Sequence, residues 1–178
     1  VLAQQNKNSG MPDYFLSLKS GSKKEWGSKT NDFWCCHGTL IQANTIFPSL
    51  CYYQSEEERR VFVSQYIPSQ AQFVFGDDKI EISQNLDMKY YNQPTLFDIG
   101  DSGQTSRWVM KFFVKADCEF TLSLRIPNWI AGKPTVIVNG NEIDVPSNCD
   151  KCGFLNISKN WKDSEILVYL PAALSEHS

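Results

Sequence analysis

The sequence has no apolar run approaching the roughly 20 residues that a membrane-spanning helix needs, so no helix of the chain is expected to cross a bilayer. It has no stretch rich in Lys and Arg. With 17 basic and 20 acidic residues its formal charge is -3, which excludes the basic footprint of a nucleic-acid binder. Lys19 to Lys29 holds four lysines among Gly and Ser and reads as a solvated loop. No long internal repeat and no low-complexity segment is present. The opening residues "VLAQQNKNSG" lack the charged and then apolar regions of a secretory signal. The chain begins at Val1 and reads as a piece of a longer protein.

What is present is material for a core: 42% of the 178 residues are hydrophobic and 13% aromatic. Six cysteines occur, at 35, 36, 51, 118, 149 and 152. A chain this long and apolar does not need a disulfide framework, so most thiols are read as free, which favours a cytoplasmic setting. Cys149 and Cys152 are the pair expected to be bridged if any is. Cys149-x-x-Cys152 also has the spacing of half a zinc knuckle or a redox pair. No second such pair completes a knuckle, and no βαβ setting surrounds it.

From residue 58 onward the pattern is β almost throughout. Strands are expected at 60–67, 71–75, 79–86, 107–116, 119–127, 134–140, 142–145, 153–158 and 165–171. Several alternate apolar and polar residues, as Phe120, Leu122, Leu124 and Ile126 do. Asn139-Gly140 is a hairpin signal. The fold class expected is mainly β, an antiparallel β-sandwich. Residues 1–57 are mostly loop. They contain a short apolar patch, "YFLSL" (14–18), read as a strand or a buried extended segment, and one helix between Gly38 and Leu50 that stops before Pro48. The expected division is 1–57 and 58–178.

The string "NDFWCCHGTL" (31–40) places Cys35 and Cys36 just ahead of that helix. Backbone N–H groups and the positive end of the helix dipole there favour an anionic sulfur. Read alone, the two are ordinary buried or loop thiols. His37 could supply an imidazole but reads as structural. The acidic runs "SEEERR" (55–60) and "FGDDKIE" (75–81) fall at turns and read as solvated charge, so no acid–base pair is nominated. Trp108, Trp129 and Trp161 could offer a sugar-stacking surface, although core filling is the default. Asn156-Ile-Ser is a formal glycosylation acceptor inside an expected strand.

Together, "GMPDYFLSLKSGSKKEW" (10–26), "FWCCHGT" (33–39), "QYIPS" (65–69), "LRIPNW" (124–129), "VNG" (138–140) and "NISKNWKDSEILVYLP" (156–171) resemble the β-L-arabinofuranosidase family of glycoside hydrolases. The resemblance implies that residues 1–57 are the C-terminal remnant of an (α/α)6 catalytic barrel and residues 58–178 the sandwich that follows it. It implies Cys35 as nucleophile and zinc ligand and Cys36 as a second zinc ligand. The remaining ligands and a Glu acid/base lie upstream in the family. By that reading zinc is the parent's cofactor and is weakly held or absent in this chain. The parent's partner is an arabinofuranoside-type glycan, with neither nucleic acid nor membrane. The surface that would face the barrel could mediate self-association. The alternative is a non-catalytic sandwich that supports a barrel or binds carbohydrate.

Overall fold

A computed structural model describes residues 6–11, 13–14, 17–28, 30–32, 34–87, 106–145 and 149–172, with backbone only at 36, 37, 40, 41, 44, 106 and 107. The chain forms two compact units, Val1–Pro48 and Ser49–Ser178.

The larger unit is a sandwich. Its strands are β1 (Tyr52–Ser55), β2 (Arg60–Val63), β3 (Ser69–Phe75), β4 (Asp78–Leu86), β5 (Ser106–Lys115), β6 (Cys118–Arg125), β7 (Thr135–Val138), β8 (Asn141–Ile143), β9 (Phe154–Trp161) and β10 (Ser164–Ala172). One sheet has the order β1-β2-β6-β9 and the other β3-β4-β5-β10-β7-β8. The pairing is antiparallel except between β2 and β6, which run parallel with Val61 beside Leu122.

Period-two alternation explains the core. Along β6, Phe120, Leu122 and Leu124 are buried, and they face the core with Val61, Val63, Leu155, Ile157 and Trp161 from the same sheet. Phe73, Phe75, Ile80, Ile82, Phe112, Ile166 and Leu170 close it from the other sheet. Each such side chain contributes roughly 1.5–3 kcal/mol by leaving water. Trp161 has no exposed surface. It stacks on Phe120 at 5.3 Å, and its indole N–H donates to the Phe120 carbonyl at 2.9 Å.

The turns follow from residue chemistry. Asn139 (φ 49°) and Gly140 (φ 82°) join β7 to β8 in register Val138↔Asn141, the left-handed pair that a tight hairpin requires. The acidic run before β2 lies in an exposed turn. Arg59 there pairs with Asp78 at 2.6 Å, both about two-fifths exposed, a pair worth little in stability.

Several expectations need correction. Tyr52–Ser55 is a strand paired with β2, upstream of the sandwich start read at 58. Its "YYQS" lacks the apolar alternation that marks the other strands. β2 ends at Val63 rather than at 67, and β9 extends past 158 to Trp161 because that ring enters the core. The helix, α1, is Cys35–Ile46, so Cys35 and Cys36 are in its first turn and not ahead of it. Gly38, read as the boundary, is helical. A 3-10 helix, Phe47–Leu50, takes in Pro48 after α1 has ended. Of the patch 14–18, residues 15 and 16 lie outside the described residues. Tyr14 is half-buried and Leu18 is 99% exposed.

Cys149 and Cys152 are free thiols and not a bridge. Asp150 fixes that turn instead. Its carboxylate accepts the N–H groups of Cys152 at 2.9 Å and Phe154 at 3.0 Å. Cys149 is half-buried and Cys152 exposed. Burial first, and the Asp150 charge second, push the Cys149 thiol above its usual range.

Candidate functional site

Cys35 opens α1. The preceding residue, Trp34, is extended (φ -98°, ψ 158°) and makes no side-chain cap, so no side chain occupies the first turn's N–H groups in the usual capping manner. Cys35 is exposed. Tyr14 lies against it: the phenol oxygen is 4.0 Å from Cys35 Sγ. The Tyr14 ring stacks on Trp34 at 5.1 Å and 13°. The two aromatic rings therefore flank an accessible sulfur at a helix N-terminus, the geometry in which a thiol can act as a nucleophile.

The side chains of Cys36 and His37 lie outside the described residues. Among those described, no three His, Cys, Asp or Glu side chains come together to hold a metal. Closed zinc sites take four donors, so the described residues do not by themselves fit zinc.

Asp13, next to Tyr14, was not singled out by sequence reasoning. It is 2% exposed, and neither carboxyl oxygen has a hydrogen-bond partner. An Asp directly after a proline reads as a turn residue, and nothing in the sequence signals its burial. No general acid comes near Cys35 among the described contacts.

The other residues weighed from the sequence lie in the sandwich. Trp161 and Trp108 belong to its core and Trp129 is 51% exposed, so the three form no common stacking surface. Asn156 is held on both sides of its amide. The oxygen accepts from Arg60 at 2.5 Å and Ser123 at 2.8 Å, and the nitrogen donates to Asp150 at 3.2 Å. An amide so engaged inside a strand is not presented as a glycosylation acceptor.

Comparison with known proteins decides the family. A family model described as "Beta-L-arabinofuranosidase, GH127 middle domain" matches residues 60–172. The chain belongs to the GH127 β-L-arabinofuranosidase family. A second model, "Beta-L-arabinofuranosidase, GH127 catalytic domain", matches residues 1–49, the part of this GH127 chain that carries Cys35. Solved structures share the fold. A GH127 β-L-arabinofuranosidase from Geobacillus stearothermophilus T6 aligns with a TM-score of 0.60 at 24% identity, over 77% of this chain and 19% of its own. A GH127 β-arabinofuranosidase aligns with a TM-score of 0.53 at 18% identity, over 77% of this chain and 21% of its own. A structure described as a glycoside hydrolase aligns with a TM-score of 0.60 at 15% identity, over 90% of this chain and 25% of its own. The GH127 chain thus spans a fifth to a quarter of the length of these proteins. No curated protein matches it. Among the described residues, no helix is long and apolar enough to cross a membrane.

Proposed function

We propose that this chain is part of a retaining glycoside hydrolase acting on β-L-arabinofuranosides, with Cys35 as nucleophile and the sandwich as support for the catalytic domain. The observation that carries the reading is the exposed Cys35 sulfur beside Tyr14, in the segment that matches the GH127 catalytic domain.

The chemistry is a double displacement. The Cys35 thiolate attacks the anomeric carbon, a C–S bond forms, and the glycosidic C–O bond breaks as an acid protonates the departing oxygen. Water then attacks the same carbon and gives its proton to the base formed in the first step. The C–S bond breaks and the thiolate returns with net retention. The acid and the surface that grips the sugar come from parts of the parent outside these residues. Turnover needs all of them held in line, so the chain by itself is inactive. Zinc is proposed for the parent only, with Cys35 and Cys36 as two of its ligands, and this chain retains it weakly or not at all.

The test is an aryl β-L-arabinofuranoside assay with this chain and with Cys35→Ala. No turnover by either is expected. Turnover by the first that vanishes in the second would contradict the proposed inactivity and reveal an acid among these 178 residues.

A further inference from the structure

The sandwich carries a cavity of about 210 Å³ lined by Glu58, Arg59, Glu119, Phe120, Thr121 and Ser158. It lies in the unit that does not contain Cys35. Its walls are fixed by the sheet. Thr121 and Ser158 are register partners on β6 and β9, and their hydroxyls bond to each other at 2.8 Å. Arg59 has a left-handed backbone (φ 45°), and Thr121 donates its N–H to the Arg59 carbonyl at 3.0 Å.

The Arg59 guanidinium is fully engaged. It donates to the Glu119 carbonyl at 3.1 Å, the Phe75 carbonyl at 3.5 Å and Asp78 at 2.6 Å, so it serves as a rigid wall and not as an anion receptor. The Glu119 carboxylate has no hydrogen-bond or ion-pair partner among the described residues. Glu58 makes only a 3.4 Å contact with Arg60. The cavity therefore offers two carboxylates with spare acceptor capacity and a hydroxyl pair that can both give and accept.

Such a set is unsuited to phosphate or to any anion, which two carboxylates repel. It is matched to vicinal hydroxyls, because a carboxylate can accept from two neighbouring O–H groups and serine or threonine can donate to a third oxygen. We propose that this cavity is a binding site for a neutral polyhydroxylated ligand of monosaccharide size. That the ligand is a pentose unit of a glycan rests on the functional reading above. The site is a binding subsite separate from the cysteine.

The test is titration of the full chain with L-arabinose, followed by the backbone amide resonances of Thr121 and Ser158. Saturable shifts at both are expected, weakened about tenfold or more in Glu119→Gln and in Ser158→Ala, as loss of a ligand hydrogen bond predicts. Retained dispersion of the sandwich resonances shows that each variant is folded. Cys35→Ala should bind as the wild type does. This separates the cavity from the proposed catalytic role, since turnover results do not bear on it. Absence of shifts, shifts unchanged in both cavity variants, loss of binding in Cys35→Ala, or a response to calcium chloride but not to L-arabinose would each overturn the proposal.

Discussion

The two units of this chain bury opposite kinds of residue. In Ser49–Ser178 the buried set is overwhelmingly apolar and drawn from both sheets, while the residue buried in Val1–Pro48, among those described, is Asp13. The sandwich satisfies itself: its largest aromatic is enclosed and its N–H is bonded. The N-terminal unit holds a carboxyl group out of water with no donor, beside a cysteine left at the surface. A buried polar group without a partner costs about 1–3 kcal/mol. The contrast matches the two family matches: a support that stands by its own packing, and a catalytic segment whose complement lies elsewhere.

The sharpest way to break the comparison is to cut the sandwich core. Trp161→Ala removes a fully buried ring and leaves the Phe120 carbonyl without its indole donor. A loss of about 3–5 kcal/mol is expected, read as a fall in the denaturant midpoint. Leu18→Ala, at a residue 99% exposed, should stay within about 0.5 kcal/mol of the parent. Similar effects from the two would mean that the units do not differ as described.

A smaller effect is expected from removing β1. Tyr52 packs edge-on against Phe73 at 5.8 Å, and its hydroxyl is 3.0 Å from Ser69 Oγ. A chain starting at residue 58 should still unfold cooperatively but be less stable than one starting at 49, by on the order of 2 kcal/mol, the contribution of one large side chain. Equal midpoints in urea would show that β1 adds nothing to the sandwich.

The smallest effect is electrostatic. The Phe154 N–H, followed by Asn156, the Cys152 N–H and Arg60, holds the Asp150 carboxyl below its ordinary value of 3.8. The folded form thus favours the carboxylate. That stabilisation is complete above the unfolded value and is lost as pH falls through the lower, folded one. The Tm difference between the parent and Asp150→Asn should be level above about pH 5 and shrink below about pH 4. A difference that grows on acidification would reverse the sign.

The strands were legible where one face is buried and the other wet, because the alternation of β6 and β10 records both environments. It failed for β1, whose paired tyrosines show no alternation, and for the polar end of β9, where only Trp161 returns to the core. The parallel pairing of β2 with β6 has no signature in either strand, since register between distant strands is a tertiary property. At the site, the cysteine pair stood out as a string, but its place in the first helical turn was hidden by Gly38. The Tyr14 contact spans 21 residues and the burial of Asp13 depends on what encloses it. Neither is encoded in local pattern. Cys149 and Cys152 misled because spacing alone does not show that Asp150 already closes their turn.

The most direct test compares urea unfolding of residues 49–178 with that of the full chain, followed by the near-ultraviolet signal of the sandwich. If the sandwich stands on its own packing, the shorter chain unfolds in one cooperative transition with a midpoint unchanged from that of the full chain. A broadened transition, or a midpoint clearly lower without residues 1–48, would contradict that claim and show that the N-terminal unit completes the sandwich.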